Sequence, residues 1–210
     1  MLTLYDCATA PSPRRARIML AEKGVCHATV AVDLSAGEQF GKMYAAINPL
    51  CTVPALRTED GVVLRDNAAI TAYLEARFPQ PALLGETALE RSEIASWNWR
   101  VEFDGLLAVM EALRNSSRAM VGRALPGRVQ YAQIPELAER GLKRIEAFFE
   151  ILDRHLEGRE FIATARFSVA DITAAVAVDF ARVVHRLPGP QFPQLLRWRV
   201  ALGQRASFSL

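Results

Sequence analysis

Hydrophobic and polar positions alternate with two different periods along about the first eighty residues. Runs with a period near two predict strands around residues 2–5, 28–34, 53–57 and 62–65. Spacings of three and four residues between those runs predict helices around residues 13–23, 38–47 and 67–78. The last two strands are joined by Glu59-Asp60-Gly61, an Asp-Gly turn typical of a hairpin. The predicted order is therefore β-α-β-α-β-β-α.

The composition changes after the third predicted helix. Pro79-Gln80-Pro81 cannot continue a helix, so we predict a linker there, between one domain over residues 1–79 and a second over residues 86–210. The second domain has helical periodicity throughout. An amphipathic stripe runs over 138–156, and residues 168–184 are apolar on almost every face, which predicts a central helix. Prolines then precede a last predicted helix around residues 195–202.

Composition and charge narrow the class of protein. Half of the 210 residues are apolar (51%), which indicates a folded chain. Lys and Arg total 25 against 23 Asp and Glu, so no nucleic-acid partner is expected. No apolar run is long enough to span a membrane and no signal segment is visible, so we expect a cytoplasmic location. Three cysteines and three histidines show neither a disulfide framework nor metal-ligand spacing.

Four ordered motifs together resemble the glutathione S-transferase family, across nearly the whole chain. They are a first strand and helix over 5–24, an Asn-Pro turn followed by Val-Pro-x-Leu over 48–56, an acidic helix start over 64–75, and a capping motif over 167–172. The resemblance implies an α/β thioredoxin-like N-terminal domain followed by an all-α C-terminal domain. It also implies glutathione as co-substrate, a small electrophile as second substrate, and a homodimer.

Val53 and Pro54 are the predicted contacts to the middle of glutathione. Proline cannot donate to a sheet ladder, and X-Pro bonds are where cis peptides occur. The resemblance implies a cis bond here that leaves the Val53 backbone groups available to the cysteinyl residue of the tripeptide. An ordinary trans proline at the start of an edge strand is the alternative.

Asp66 and Asn67 precede the third predicted helix and are the predicted γ-glutamyl site. Free N–H groups and the positive end of the helix dipole attract a carboxylate. Asp66 would bind the ammonium group, and Asn67 would offer its backbone N–H and its amide to the carboxylate. Both residues are also strong caps, and the two roles are compatible. The chain departs from the family pattern, which usually has Ser at position 67.

The residue that stabilises the glutathione thiolate is predicted to lie near the start of the first helix. Ser12 is the first candidate, as an N-cap followed by Pro13 at the first helical position. Thr9 is the second and Cys7 the third; a working cysteine would favour mixed-disulfide chemistry over conjugation. Tyr5 is expected to pack inside the first strand.

Two sets of residues in the second domain predict structural roles. Ser168 and Asp171 have the spacing of a capping box, which explains an acid in so apolar a helix. Another set has helical spacing typical of a core, although the resemblance implies that some members line an apolar pocket: Trp97, Trp99, Phe103, Leu106 and Met110.

The sequence thus predicts an enzyme that adds the glutathione thiolate to small electrophiles. An isomerase, dehalogenase or glutathione-dependent reductase on the same scaffold would share the glutathione site. A non-catalytic binding protein that keeps the fold is the alternative from another class.

Overall fold

The computed structural model describes residues 1–209. These residues form two compact units, one comprising 1–81 with 125–130 and the other comprising 82–124 with 131–209. Among the residues described, no helix combines the length and the apolarity that crossing a membrane requires.

The first unit contains a four-stranded sheet of order β2-β1-β3-β4. Strand β1 is parallel to β2 and antiparallel to β3, which pairs antiparallel with β4. The strands are β1 (Leu2–Asp6), β2 (His27–Ala31), β3 (Ala55–Arg57) and β4 (Val63–Leu64), and the helices are α1 (Pro11–Glu22), α2 (Lys42–Ile47) and α3 (Asn67–Arg77). The predicted order of elements is confirmed, as is the turn that joins β3 to β4, where the Gly61 N–H donates to the Thr58 carbonyl at 3.1 Å.

The start of α1 differs from the prediction. The N-cap is Ala10, Pro11 is the first helical residue, and Ser12 is the second, so the prediction that Ser12 caps this helix is wrong. Proline fits the first turn because its missing N–H would have no intrahelical partner there. Both Pro11 and Pro13 are accommodated in this way, and the helix begins two residues earlier than predicted.

The second predicted helix is divided in two. A 3-10 turn (Glu38–Phe40) is separated from α2 by Gly41, which is extended at φ −65° and ψ 150°. A Cβ on Gly41 would lie 3.1 Å from the Glu38 carbonyl oxygen, closer than an ordinary contact. The glycine therefore permits the sharp change of direction, which the hydrophobic pattern alone does not reveal.

The second unit is helical, as predicted. Its helices are α4 (Ala88–Val101), α5 (Leu107–Ser116), α6 (Pro135–His155), α7 (Val169–Phe180) and α8 (Pro193–Gly203). Every residue from Val169 to Val178 is buried, so the prediction of a central helix is confirmed. A π-helical segment (Glu102–Leu106) joins α4 to α5. It contains Gly105, where a Cβ would lie 2.7 Å from Cζ of Phe148.

The predicted core role is not met for Trp99 on α4 or for Phe103 on the π-helical segment. Trp99 is 65% exposed and Phe103 47% exposed, and their rings stack with centroids 5.2 Å apart. Trp97, Leu106 and Met110 are half-buried. Helical spacing identifies one face of a helix, but it does not say whether that face turns towards a core.

Candidate functional site

The chain enters β3 through a cis peptide bond between Val53 and Pro54, as predicted. Pro54 is buried, and Val53 is half-buried against a cluster formed by Tyr5, Tyr44 and Ala55 with Val32. Within residues 1–209, neither the N–H nor the C=O of Val53 has a hydrogen-bond partner. Because these two backbone groups of a half-buried residue are unpaired, they can pair with the backbone of an extended ligand.

The turn before Val53 is fixed by hydrogen bonds to one carbonyl. The Thr52 carbonyl accepts from the Tyr44 hydroxyl at 2.6 Å and from Nδ2 of Asn48 at 2.8 Å. Asn48 is fully buried and also accepts from the Leu50 N–H at 3.1 Å. Burial raises the pKa of Tyr44 to about 12, so its hydroxyl stays protonated and keeps donating at neutral pH. The turn therefore holds the backbone of Val53 in a defined place.

The strand register brings Val53 and the start of α3 to the same part of the sheet. Leu56 of β3 is opposite Leu64 of β4, and Arg57 is opposite Val63. Val53 and Pro54 immediately precede β3, and Asp66 and Asn67 closely follow β4, so all four lie at the open end of this antiparallel hairpin. Four of the predicted site residues are thus grouped by the hairpin.

Asp66 is the N-cap of α3, where its Oδ1 accepts from the Ala69 N–H at 2.8 Å. The side chain is exposed, and its other carboxylate oxygen has no partner in the part of the chain described. Asp66 can therefore cap the helix and bind a cation at the same time. Asn67 is the first helical residue, and its backbone N–H points out of the helix start, as in every first turn.

The side chain of Asn67 has a role that the sequence did not reveal. Its Nδ2 donates to the backbone carbonyl of Ser12 at 3.0 Å. One amide hydrogen of Asn67 is therefore used inside the protein, and the predicted contribution of this amide to a ligand is reduced to its remaining hydrogen. The same contact joins the γ-glutamyl candidates to the first turn of α1.

Ser12 is half-buried in that first turn, and Thr9 is exposed on the preceding loop. Oγ1 of Thr9 lies 3.5 Å from Sγ of the half-buried Cys7. Tyr5 is buried and packs edge-on against Tyr44, so the expectation that it packs is confirmed. Thr9 and Cys7 lie on the loop before α1, and contact with Asn67 is observed for Ser12.

Arg17 holds this loop in shape. Its Nη1 donates to Oδ1 of the buried Asp6 at 2.5 Å, and its Nη2 donates to the Ala8 carbonyl at 3.2 Å. A longer contact of 3.5 Å reaches the Cys7 carbonyl. The planar guanidinium group makes these contacts at the same time and so fixes the conformation of the loop that precedes α1.

Gln39 is a residue that sequence reasoning missed. It is 3% exposed, and its Oε1 lacks a hydrogen-bond partner among residues 1–209. A buried amide oxygen without a partner is costly, and so marks a group available to a ligand or water. No local sequence pattern distinguishes Gln39 from its neighbouring loop residues.

The predicted capping box of the second unit is present at the start of α7. Oδ2 of Asp171 accepts from the Ser168 N–H at 3.0 Å and from its hydroxyl at 3.1 Å. Oδ1 accepts from the Ile162 N–H at 2.9 Å and from Nε1 of Trp198 at 3.2 Å. Burial raises the pKa of Asp171 to about 6 although these donors oppose the shift. The carboxyl group is fully occupied by structural contacts.

Comparison with known proteins agrees with this geometry. Residues 9–77 match the model of the glutathione S-transferase N-terminal domain, and residues 135–201 match that of the C-terminal domain. Glutathione S-transferase 2 of Saccharomyces cerevisiae is 32% identical over 98% of this chain and 87% of its own length.

Two solved structures are similar over almost their full length. A glutathione S-transferase domain-containing protein from Marinobacter aquaeolei is 34% identical, with a TM-score of 0.88 and 98% of each chain covered. A glutathione S-transferase from Methylobacillus flagellatus, crystallised with glutathione bound, is 25% identical, with a TM-score of 0.82 over 100% of this chain and 98% of its own. The chain described here belongs to the glutathione S-transferase family.

Proposed function

We propose that this protein is a glutathione transferase, which binds glutathione and adds its thiolate to small electrophiles. The observation that carries the proposal is the unpartnered N–H and C=O of Val53, just before β3, at the end of the hairpin from which the chain continues into α3. The cysteinyl residue of glutathione pairs with this peptide group in an extended conformation. Asp66 and Asn67 then face the γ-glutamyl end.

The charges of the γ-glutamyl group match the start of α3. The oxygen of Asp66 that does not cap the helix accepts from the ligand ammonium group. The ligand carboxylate accepts from the unpaired N–H groups of the first turn, beginning with that of Asn67, where the helix dipole favours a negative charge.

Ser12 is the group that we assign to the thiolate. Pro11 and Pro13 carry no N–H, so Ser12 has the only backbone donor among the first three positions of α1. Its hydroxyl adds a second donor at the same point. The thiol proton leaves to solvent, the sulfur attacks the electrophilic carbon, and the leaving group departs with its bonding electrons. Thr9 is the second candidate for the same role.

The proposal is tested by mixing purified protein with glutathione and following the ultraviolet absorbance of the thiolate. We expect thiolate to form at neutral pH, and a chlorodinitrobenzene to be converted to its glutathione adduct in proportion to the enzyme added. Binding of glutathione without either signal would favour the non-catalytic alternative. If no adduct forms, turnover of an isomerisable substrate that leaves glutathione unconsumed would favour an isomerase, and reduction of a disulfide that requires Cys7 would favour a reductase.

We also propose a homodimer and a cytoplasmic location. The stacked, exposed rings of Trp99 and Phe103 offer an apolar surface for a second copy. Cys7, Cys26 and Cys51 are all free thiols, which suits a reducing compartment. Light scattering at micromolar concentration should give twice the monomer mass, and a monomer mass would contradict the dimer.

A further inference from the structure

Two buried side chains hold the peptide group between Thr52 and Val53. The Thr52 carbonyl accepts from the Tyr44 hydroxyl at 2.6 Å and from Nδ2 of Asn48 at 2.8 Å. Tyr44 is 4% exposed and Asn48 is fully buried. Both lie at the end of α2, where the Asn48 N–H donates to the Tyr44 carbonyl at 2.8 Å. The Thr52 carbonyl is therefore fixed by two donors that are themselves held in place.

The unpaired N–H of Val53 belongs to the same peptide group as this carbonyl. The Thr52–Val53 peptide bond is trans, and a trans peptide is planar with its C=O and N–H pointing in opposite directions. The two hydrogen bonds that fix the carbonyl thus also fix the direction of the Val53 N–H, which has no partner within residues 1–209. Hydrogen bonds accepted by a carbonyl also polarise the peptide group, which strengthens its N–H as a donor.

Packing holds the ring of Tyr44 in the interior of the first unit. Its centroid is 6.0 Å from that of Tyr5, and the two rings meet edge-on at 71°. Val53 packs against the same buried cluster. Because a closely packed ring keeps one orientation, the Tyr44 hydroxyl is aimed at the Thr52 carbonyl before any ligand binds. The peptide group that precedes Val53 is therefore preorganised, which lowers the cost of binding.

We propose that Tyr44 is a positioning residue for glutathione, an inference that rests on the function proposed above. Its hydroxyl holds the Thr52–Val53 peptide group in the orientation in which the Val53 N–H donates to the cysteinyl carbonyl of the tripeptide. Asn48 binds the same carbonyl but also accepts from the Leu50 N–H at 3.1 Å, so its loss would disturb the whole turn. Replacing Tyr44 with phenylalanine removes one of the two donors and keeps the ring.

The test compares two ligands, of which only one has the carbonyl that the Val53 N–H would bind. Glutathione has it, whereas γ-glutamylcysteamine keeps the γ-glutamyl group and the thiol but lacks the cysteinyl carbonyl. Calorimetric titration up to millimolar ligand would measure both dissociation constants. Tyr44→Phe should weaken the binding of glutathione by roughly three- to tenfold, the effect of one hydrogen bond, and that of γ-glutamylcysteamine by less than about twofold.

Steady-state kinetics give a second readout that does not need the second ligand. A contact that is equally strong in the ground state and the transition state affects KM alone. Tyr44→Phe should therefore raise the KM for glutathione by roughly three- to tenfold and leave kcat within about twofold of the wild type. A fall in kcat with an unchanged KM would overturn the inference.

Tyr5→Phe is the matched control, because it removes a phenolic hydroxyl from the same cluster but leaves both donors to the Thr52 carbonyl in place. It should bind both ligands as the wild type does. An equal loss for both ligands in Tyr44→Phe would make Tyr44 a structural residue only and would overturn the inference. The same holds for an unchanged affinity for glutathione, or for a similar loss in Tyr5→Phe. These results leave glutathione binding by the wild type intact, whereas a wild type that does not bind glutathione would contradict the proposed function itself.

Discussion

Nδ2 of Asn67 donates to the backbone carbonyl of Ser12 at 3.0 Å. This bond joins the first turn of α3, assigned to the γ-glutamyl group, to the first turn of α1, assigned to the thiolate. The two ends of the proposed chemistry are therefore connected by one half-buried amide. A serine at position 67, the residue usual in the family, has a shorter side chain with a single hydroxyl donor.

Replacing Asn67 tests that connection. Asn67→Ala should lower the free energy of unfolding by about 0.5–1.5 kcal/mol, because one half-buried hydrogen bond is lost. The pKa of bound glutathione should rise as the first turn of α1 loosens. Denaturant unfolding and a pH titration of thiolate absorbance measure the two effects. If both quantities match the wild type, the contact has no role in the site.

Replacing Ser12 tests the assignment of the thiolate donor. A hydrogen bond to a charged group contributes about 1.5–3 kcal/mol, so Ser12→Ala should lower turnover by roughly ten- to hundredfold. The affinity for glutathione should change little, because the hydroxyl contacts mainly the thiolate. Steady-state kinetics with a chlorodinitrobenzene and calorimetry provide the two measurements.

Thr9→Ala is the control for Ser12→Ala, since Thr9 lies on the loop just before α1 and is exposed. It should retain most of the activity. A large loss in Thr9→Ala together with normal activity in Ser12→Ala would transfer the role to Thr9.

Asp66 has a cap role and a ligand role that two substitutions separate. Asp66→Asn keeps a strong cap but removes the charge, so the protein should melt normally and bind glutathione about 1.5–3 kcal/mol more weakly. Asp66→Ala should show the same loss of binding and, in addition, about 1 kcal/mol of lost stability. Thermal melts beside calorimetric titrations distinguish the roles. Normal glutathione binding by Asp66→Asn would leave Asp66 as a cap alone.

The order of elements and the grouping of most site residues were predictable because they depend on local patterns. Periodicity and turn residues define the β-α-β-α-β-β-α order, and a hairpin brings the residues before β3 and those after β4 to the same end of the sheet. The start of α1 was misplaced because Ser12 has the composition of a cap, while two prolines fit the first turn equally well.

Other parts of the site depend on distant contacts and left no local signal. Ser12 and Asn67 are 55 positions apart, and no periodic pattern predicts the hydrogen bond between them. The exposure of Trp99 and Phe103 is likewise set by how helices pack, since the same spacing is typical of a core. Tertiary packing decides these features, and local pattern does not encode it.

The buried carboxyl group of Asp171 should give the protein a specific pH dependence of stability. Its pKa is raised by burial from 3.8 to about 6, so the folded protein binds a proton more tightly than the unfolded chain does. The resulting stabilisation is fully present below about pH 4 and is lost as the pH rises through about 6. A shift of this size corresponds to about 3 kcal/mol between those limits.

Asp171→Asn should remove this contribution, because the amide does not titrate. Denaturant unfolding of the variant and the wild type over the same pH series measures the difference between their free energies of unfolding. That difference should change by about 3 kcal/mol from pH 4 to pH 7. Ser168→Ala is the comparison: it should cost about 1–2 kcal/mol by removing the cap hydroxyl. Because that hydroxyl also lowers the pKa of Asp171, its loss should widen the pH dependence, whereas Asp171→Asn should abolish it. Parallel pH profiles for Asp171→Asn and the wild type would mean that the carboxyl group titrates alike in the folded and unfolded states.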